Sequence, residues 1–198
     1  MLDPITIIEA VGLTGIFLIV FAESGLFFGF FLPGDTLLFS AGLFASQGFF
    51  PIEILIVGCI IAAIAGDSVG YWIGKKMGRR LFEREASFFF NKKRIADAER
   101  FYAKYGAATI ILARFIPVIR TFAPIVAGAA RMKYRTFILN NVIGGIIWAV
   151  GVPLLGYYFG SLIPNPDRFI LPVIIFVLCV SFLPFFIKIA FHVIKRRR

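Results

Sequence analysis

Residues 106–130 read GAATIILARFIPVIRTFAPIVAGAA, an apolar stretch whose only charges are Arg114 and Arg120. A spanning helix needs about 20 apolar residues, so the stretch is long enough to cross a bilayer once. Its flanks forbid that reading. Upstream, residues 75–104 carry Lys75, Lys76, Arg79, Arg80, Arg84, Lys92, Lys93, Arg94, Arg100 and Lys104, against Glu83, Glu85, Asp97 and Glu99. Downstream stand Arg131, Lys133 and Arg135. Basic clusters beside apolar spans mark the cytoplasmic side. Residues 106–130 therefore start and end on one side, which predicts a re-entrant hairpin bent near Pro117.

The same bias orders the rest of the chain. Residues 136–160 and 169–191 are spans that go out and back around Pro164-Asn165-Pro166, ending at the basic tail 192–198. This tail predicts a cytoplasmic C-terminus. If span 52–74 ends inside, residue 51 lies outside. Residues 12–50 are too short for two spans and a loop, and Pro33-Gly34 interrupts them, so they predict a first hairpin entering from outside. Within 75–105, Ile95, Ala98, Tyr102 and Tyr105 recur at helical spacing between Asn91 and Gly106, which predicts a surface amphipathic helix over 92–105. The expected architecture is an all-α integral membrane protein, one polytopic domain over 1–198. It has two opposed re-entrant hairpins in an inverted repeat, about three spanning helices and a cytoplasmic amphipathic helix.

Composition excludes the alternatives. Of the 198 residues, 60% are hydrophobic and only 16% charged, whereas a soluble domain averages about 25% charged. A soluble core of this size would leave apolar patches exposed. The net charge of +10 would suggest nucleic acid in a soluble protein, but here it sits in clusters between spans, so no nucleic-acid partner is expected. Cys59 and Cys179 lie inside apolar runs and read as packing residues. His192 has no ligand partners, and no metal or cofactor is expected. Met1-Leu2-Asp3-Pro4 lacks the basic start of a secretory signal, and no lipidation motif is visible. Gly58, Ala62, Gly66, Gly70, Gly74 and Gly78, with Gly25/Gly29 and Gly156/Gly160, form small-residue stripes that let helices approach closely.

Glu23, Asp35, Asp67, Arg114 and Arg120 all fall inside apolar segments. An ionised residue at the bilayer centre costs at least about 2.5–3.5 kcal/mol on insertion scales, so such residues face the interior and pair or serve a pathway. The acids stand in the first half and the arginines in the second, which suggests pairing across the halves. The structural alternative is a set of buried ion pairs that lock the hairpins together. The functional one is a midplane site at the hairpin tips, where freed backbone needs a polar cavity. Arg114 and Arg120 are six positions apart, and a break at Pro117 would let both converge on a phosphate. Glu23 and Asp35 would handle protons or gate. A carboxylate buried away from arginine favours its neutral form, whereas one paired with arginine stays ionised; both remain open. Asp67, Pro33, Gly34 and Pro117 are secondary candidates. No phosphate loop, HExxH or GxSxG motif is present, so no enzyme and no catalytic residue are expected.

These residues carry a family resemblance. The chain resembles the DedA family, also called SNARE-associated or VTT-domain proteins, over roughly residues 12–150. The shared pattern includes Glu23, Pro33-Gly34-Asp35, Gly66-Asp67, Gly70-Tyr71 and Gly74. It continues with Tyr105-Gly106, Arg114-Phe115-Ile116-Pro117, Arg120, Pro124, Ala127-Gly128, Met132, Phe137, Asn140, Gly144 and Trp148. Asp35 stands where many members have Glu, which keeps the charge. The resemblance implies two opposed hairpins and lipid translocation. Bacterial members are implicated in returning undecaprenyl phosphate to the cytoplasmic leaflet, others in phospholipid movement, and eukaryotic relatives in scrambling. It also implies that Glu23 and Asp35 are the embedded acidic pair and Arg114 and Arg120 the essential arginines.

The expectation is thus a bacterial inner-membrane flippase for a phosphate-bearing lipid, foremost undecaprenyl phosphate, coupled to the proton motive force. Its partners are the polyprenyl phosphate or phospholipid substrate, protons and membrane lipids, with association into a homo-oligomer left open. The alternatives are a phosphatidylethanolamine translocase or scramblase, a proton-coupled small-anion transporter, and a non-transporting membrane organiser.

Overall fold

A computed structural model of the chain describes residues 4–26, 34–82, 106 and 108–162. These contain six α-helices and no strand: α1 (Pro4–Gly25), α2 (Gly34–Ser46), α3 (Ile52–Phe82), α4 (Ala108–Ala113), α5 (Pro117–Ala129) and α6 (Tyr134–Ser161). Among the described residues, two stretches are long and apolar enough to cross a membrane, Ile52–Lys76 in α3 and Tyr134–Ser161. The surface helix expected over 92–105, the span over 169–191 and the tail 192–198 lie outside the described residues.

The helix limits follow local chemistry. The break expected near Pro117 spans residues 114–116. Ile116 is extended, at φ −116° and ψ 107°, as a residue before proline should be. Pro117 then opens α5, where its missing N–H leaves no bond unmade. α5 closes with the Met132 N–H on the Ala127 carbonyl (3.0 Å) and the Arg131 N–H on the Gly128 carbonyl (3.1 Å). Arg131 adopts φ +53° there, the left-handed cap geometry usually given to glycine. α6 exceeds the expected span 136–160 by two residues at one end and one at the other. The first basic residues after Gly74 do not end α3, which continues to Phe82. Lysine and arginine are good helix formers, so a rise in polarity alone is no stop signal.

The long helices run antiparallel. Trp72 lies against Tyr134 with ring centroids 5.5 Å apart, and Asn141 donates to the Ile64 carbonyl at 3.2 Å. α1 follows α3, with Gly25 and Gly66 so close that a Cβ on Gly25 would stand 2.7 Å from the Gly66 carbonyl oxygen. Two further interfaces repeat each other. A Cβ on Gly42 of α2 would strike the Pro153 carbonyl of α6, and one on Gly156 the Phe39 carbonyl. A Cβ on Gly128 of α5 would strike the Tyr71 carbonyl of α3, and one on Gly74 the Ile125 carbonyl. Phe39 to Gly42 and Ile125 to Gly128 are the same step, as are Tyr71 to Gly74 and Pro153 to Gly156. The α2–α6 and α5–α3 contacts are therefore equivalent, and each joins one half of the chain to the other.

Polarity is inverted relative to a soluble protein. Leu18, Ile61, Leu112, Leu139, Leu155 and Tyr158 are exposed, while Glu23, Asp67, Arg114, Arg120 and Asn141 are buried. Two apolar clusters flank the charges. One holds Val20, Leu38, Leu55, Ala63 and Trp148; the other holds Tyr71, Ile110, Ala127 and Phe137. On α3, Asp67 falls between Ala63 and Tyr71, and on α6, Asn141 falls between Phe137 and Trp148. The polar side chains thus form a layer between two apolar ones.

Candidate functional site

Glu23, Asp35, Asp67, Arg114 and Arg120 sort into two clusters, one on each arginine. Arg114 stands just after α4. Its Nη2 donates to Asp67 Oδ2 of α3 and to Asn141 Oδ1 of α6 at 2.5 Å. Asn141 is fully buried and passes its own amide hydrogen to the Ile64 carbonyl. Gly144 and Gly145 supply the room: the Arg114 side chain lies 3.0 Å from where a Cβ on Gly144 would be. Every group here is buried, so Arg114 is a charge neutralised by one acid and oriented by one amide. Its Nε has no hydrogen-bond partner among the described residues.

Arg120 stands in the first turn of α5. Its Nη2 donates to Glu23 Oε1 of α1, and its Nη1 to Asp35 Oδ1 in the first turn of α2 at 2.6 Å. Trp148 of α6 donates its indole N–H to the same Asp35 oxygen at 2.7 Å. The guanidinium carbon also lies 4.4 Å from the centre of the Trp148 ring, within cation–π range. Glu23 lies against Gly34, where any side chain would overlap its carboxylate. Glu23 Oε2 and Thr121 Oγ1 are buried without hydrogen-bond partners among the described residues.

The clusters differ in access. The Arg120 and Glu23 side chains are each 7% exposed, but the Asp35 side chain is 47% exposed. Among these five charges, Asp35 is the one acid that is bonded to a buried arginine and is itself nearly half exposed.

Each ion pair joins an acid of the first half to an arginine of the second. The two arginines, expected to converge on one anion, hold different carboxylates in this structure. Asp67, a secondary candidate in the sequence, has the same standing around Arg114 as Glu23 and Asp35 have around Arg120. Gly34 cradles Glu23, Pro117 sets the start of the helix that carries Arg120, and Pro33 lies outside the described residues. Sequence reasoning misses Asn141 as a site residue. Its signal is an amide in the middle of an apolar helix, where polar side chains bond across helices. Trp148 enters only through the family pattern, because periodicity gives an indole in a spanning helix no role beyond packing.

Comparison with known proteins gives consistent relatives. Residues 32–158 match the VTT domain. The chain is 44% identical over 179 residues to the protein DedA of Escherichia coli strain K12, covering 89% of this chain and 81% of that one. It is 39% identical over 206 residues to an uncharacterized membrane protein of Mycobacterium tuberculosis strain H37Rv, covering 100% of this chain and 89% of the relative. An uncharacterized membrane protein of Mycobacterium leprae is 40% identical over 166 residues, covering 84% and 74%. No solved structure matches the chain at a significant level.

Proposed function

The chain belongs to the VTT-domain family, shared with DedA, and is a membrane protein; on that premise we propose that it is a translocase that moves a phosphate-bearing lipid between leaflets. Undecaprenyl phosphate is the foremost substrate, and the proton motive force drives it. In this reading the protein is no enzyme and sits in the bacterial inner membrane as a multi-pass protein with a cytoplasmic C-terminus. The α1–α2 and α4–α5 pairs are the two re-entrant hairpins, dipping in from opposite faces.

One observation carries the proposal: a buried arginine, Arg120, held by an exposed acid and a buried one. An arginine locked for stability alone needs no open partner. Guanidinium suits phosphate as well as carboxylate, because both present paired oxygens to its donors. Arg120 is then the arginine that meets the head group, while Arg114, tied to Asp67 and Asn141, holds the turn before α5 in place. Moving a phosphate anion toward a negative interior is opposed by about 2.3 kcal/mol per charge per 100 mV, so a co-moving proton on Glu23 or Asp35 cancels the cost.

The test is reconstitution in liposomes with undecaprenyl phosphate and phosphatidylethanolamine side by side, following leaflet exposure of each head group. Undecaprenyl phosphate should cross faster than in protein-free vesicles, and Arg120→Gln should slow it at least about tenfold, the rate equivalent of one modest interaction. Arg114→Ala should also lose transport, together with thermal stability. Equal movement of both lipids overturns undecaprenyl phosphate as the foremost substrate, and a native rate no higher than in protein-free vesicles overturns the proposal.

A further inference from the structure

The most exposed acid of the three is also the one held by two different donors. Asp35 Oδ1 accepts from Arg120 Nη1 at 2.6 Å and from Trp148 Nε1 at 2.7 Å. Trp148 is itself buried, and its ring face lies against the same guanidinium. One side chain therefore carries the cation on its face and binds the cation's counter-ion with its edge.

This arrangement is a ready-made oxyanion site. An indole N–H is a donor only, and a guanidinium is donors only. Together they aim one charged and one neutral hydrogen bond at a single oxygen. A phosphate oxygen meets that demand as a carboxylate oxygen does. The indole adds a donor without adding charge. A monoanion replacing Asp35 would thus leave Arg120 with the balance it has now, one buried acid and one further anion. Asp35, nearly half exposed, has room to give up these bonds, whereas the buried Glu23 carboxylate is packed against Gly34.

We propose that Asp35 is an internal stand-in for the substrate's phosphate, and that the Trp148 N–H is the second donor of the head-group site. In the empty protein the Asp35 carboxylate occupies the phosphate-oxygen position. An arriving phosphate displaces it and takes the hydrogen bonds of Arg120 Nη1 and Trp148 Nε1. The proposal rests on the phosphate-lipid reading above and adds the competitor and the donor to it. Asp35 then keeps Arg120 neutralised between transport cycles and sets how tightly a phosphate must bind to enter.

The test uses tryptophan emission. The chain has two tryptophans, and Trp72, outside the site and exposed, can be replaced. In Trp72→Phe, emission reports Trp148 alone. The purified full chain is titrated with a short-chain polyprenyl monophosphate and with the matching alcohol. The monophosphate should change Trp148 emission saturably, and the alcohol should not. Direct binding by calorimetry should weaken about tenfold in Trp148→Phe, which keeps a ring under Arg120 and removes one bond to a charged group. Asp35→Asn, which replaces the competing anion by a neutral amide, should bind the monophosphate several-fold more tightly. A merely structural Asp35 would weaken binding or leave it unchanged when replaced, so either result overturns the proposal. So does native affinity in a folded Trp148→Phe. If that occurs while undecaprenyl phosphate is still translocated, this proposal falls alone. If the monophosphate is neither bound nor translocated, the functional reading falls with it.

Discussion

Arg114, Asp67 and Asn141 form a closed set in which each polar side chain has a partner on another element. Removing one member of a buried ion pair leaves the other uncompensated, which costs about 3–5 kcal/mol. Asp67→Ala should therefore lower the thermal unfolding midpoint sharply in detergent. Asp67→Ala with Arg114→Met should recover much of that loss, because no charge is left buried alone. Additive losses in the double variant would show that the pair is not coupled. Asp35→Asn should lower the midpoint less than Asp67→Ala, since Asp35 is nearly half exposed and Arg120 keeps its pairing with Glu23. The charges themselves were legible in the sequence because they interrupt apolar runs, and their signs suggested pairing between the halves. Which acid meets which arginine was not legible. That depends on how the backbone turns at residues 114–116, and a proline says where a helix breaks but not where the next one points. Asn141 left no trace because one amide alters neither hydropathy nor period.

At the scale of helices, contact rests on glycine. Gly128 and Gly156 place backbone against the carbonyls of Tyr71 and Phe39, and no side chain fits there. Gly128→Val or Gly156→Val should destabilise by at least about 1–3 kcal/mol, the usual cost of overpacking. Gly151, in the same helix as Gly156, faces open space: nothing lies within 4 Å of the place a Cβ would take. Gly151→Ala should therefore be neutral or gain up to about 1 kcal/mol from helix propensity. Thermal unfolding of the three variants checks the contrast, and equal effects at Gly151 and Gly156 would contradict it. The four-residue stripe from Gly58 to Gly74 was plain in the sequence. Its partners were not, because the stripe changes neighbour along its length: Gly58 meets Phe17 of α1, and Gly74 meets Ile125 of α5. The far end of α3 was hidden for a related reason, since charge clusters mark membrane sides and not helix ends.

For the molecule as a whole, the repeated α2–α6 and α5–α3 contacts make each half hold the other's arm. The ion pairs cross the same division, so packing and charge both tie the two halves together. The charge bias of the sequence leads to a definite topology, to be checked by thiol labelling in intact cells of a variant lacking native cysteines. Lys76→Cys and Lys133→Cys should both be shielded from an impermeant reagent added outside, and Gly48→Cys should react. Labelling of Lys133→Cys but not Lys76→Cys would make residues 106–130 a simple crossing. The ion network between the halves is tested most directly by undecaprenyl phosphate movement in proteoliposomes under an imposed pH gradient. The comparison is the native chain against Glu23→Gln with Asp35→Asn, amides that keep an acceptor oxygen beside Arg120. The gradient should speed head-group transfer in the native protein by at least about tenfold, some 1.4 kcal/mol off the barrier, and leave the folded double variant unmoved. An equal response in the two proteins would contradict a transport role for these carboxylates.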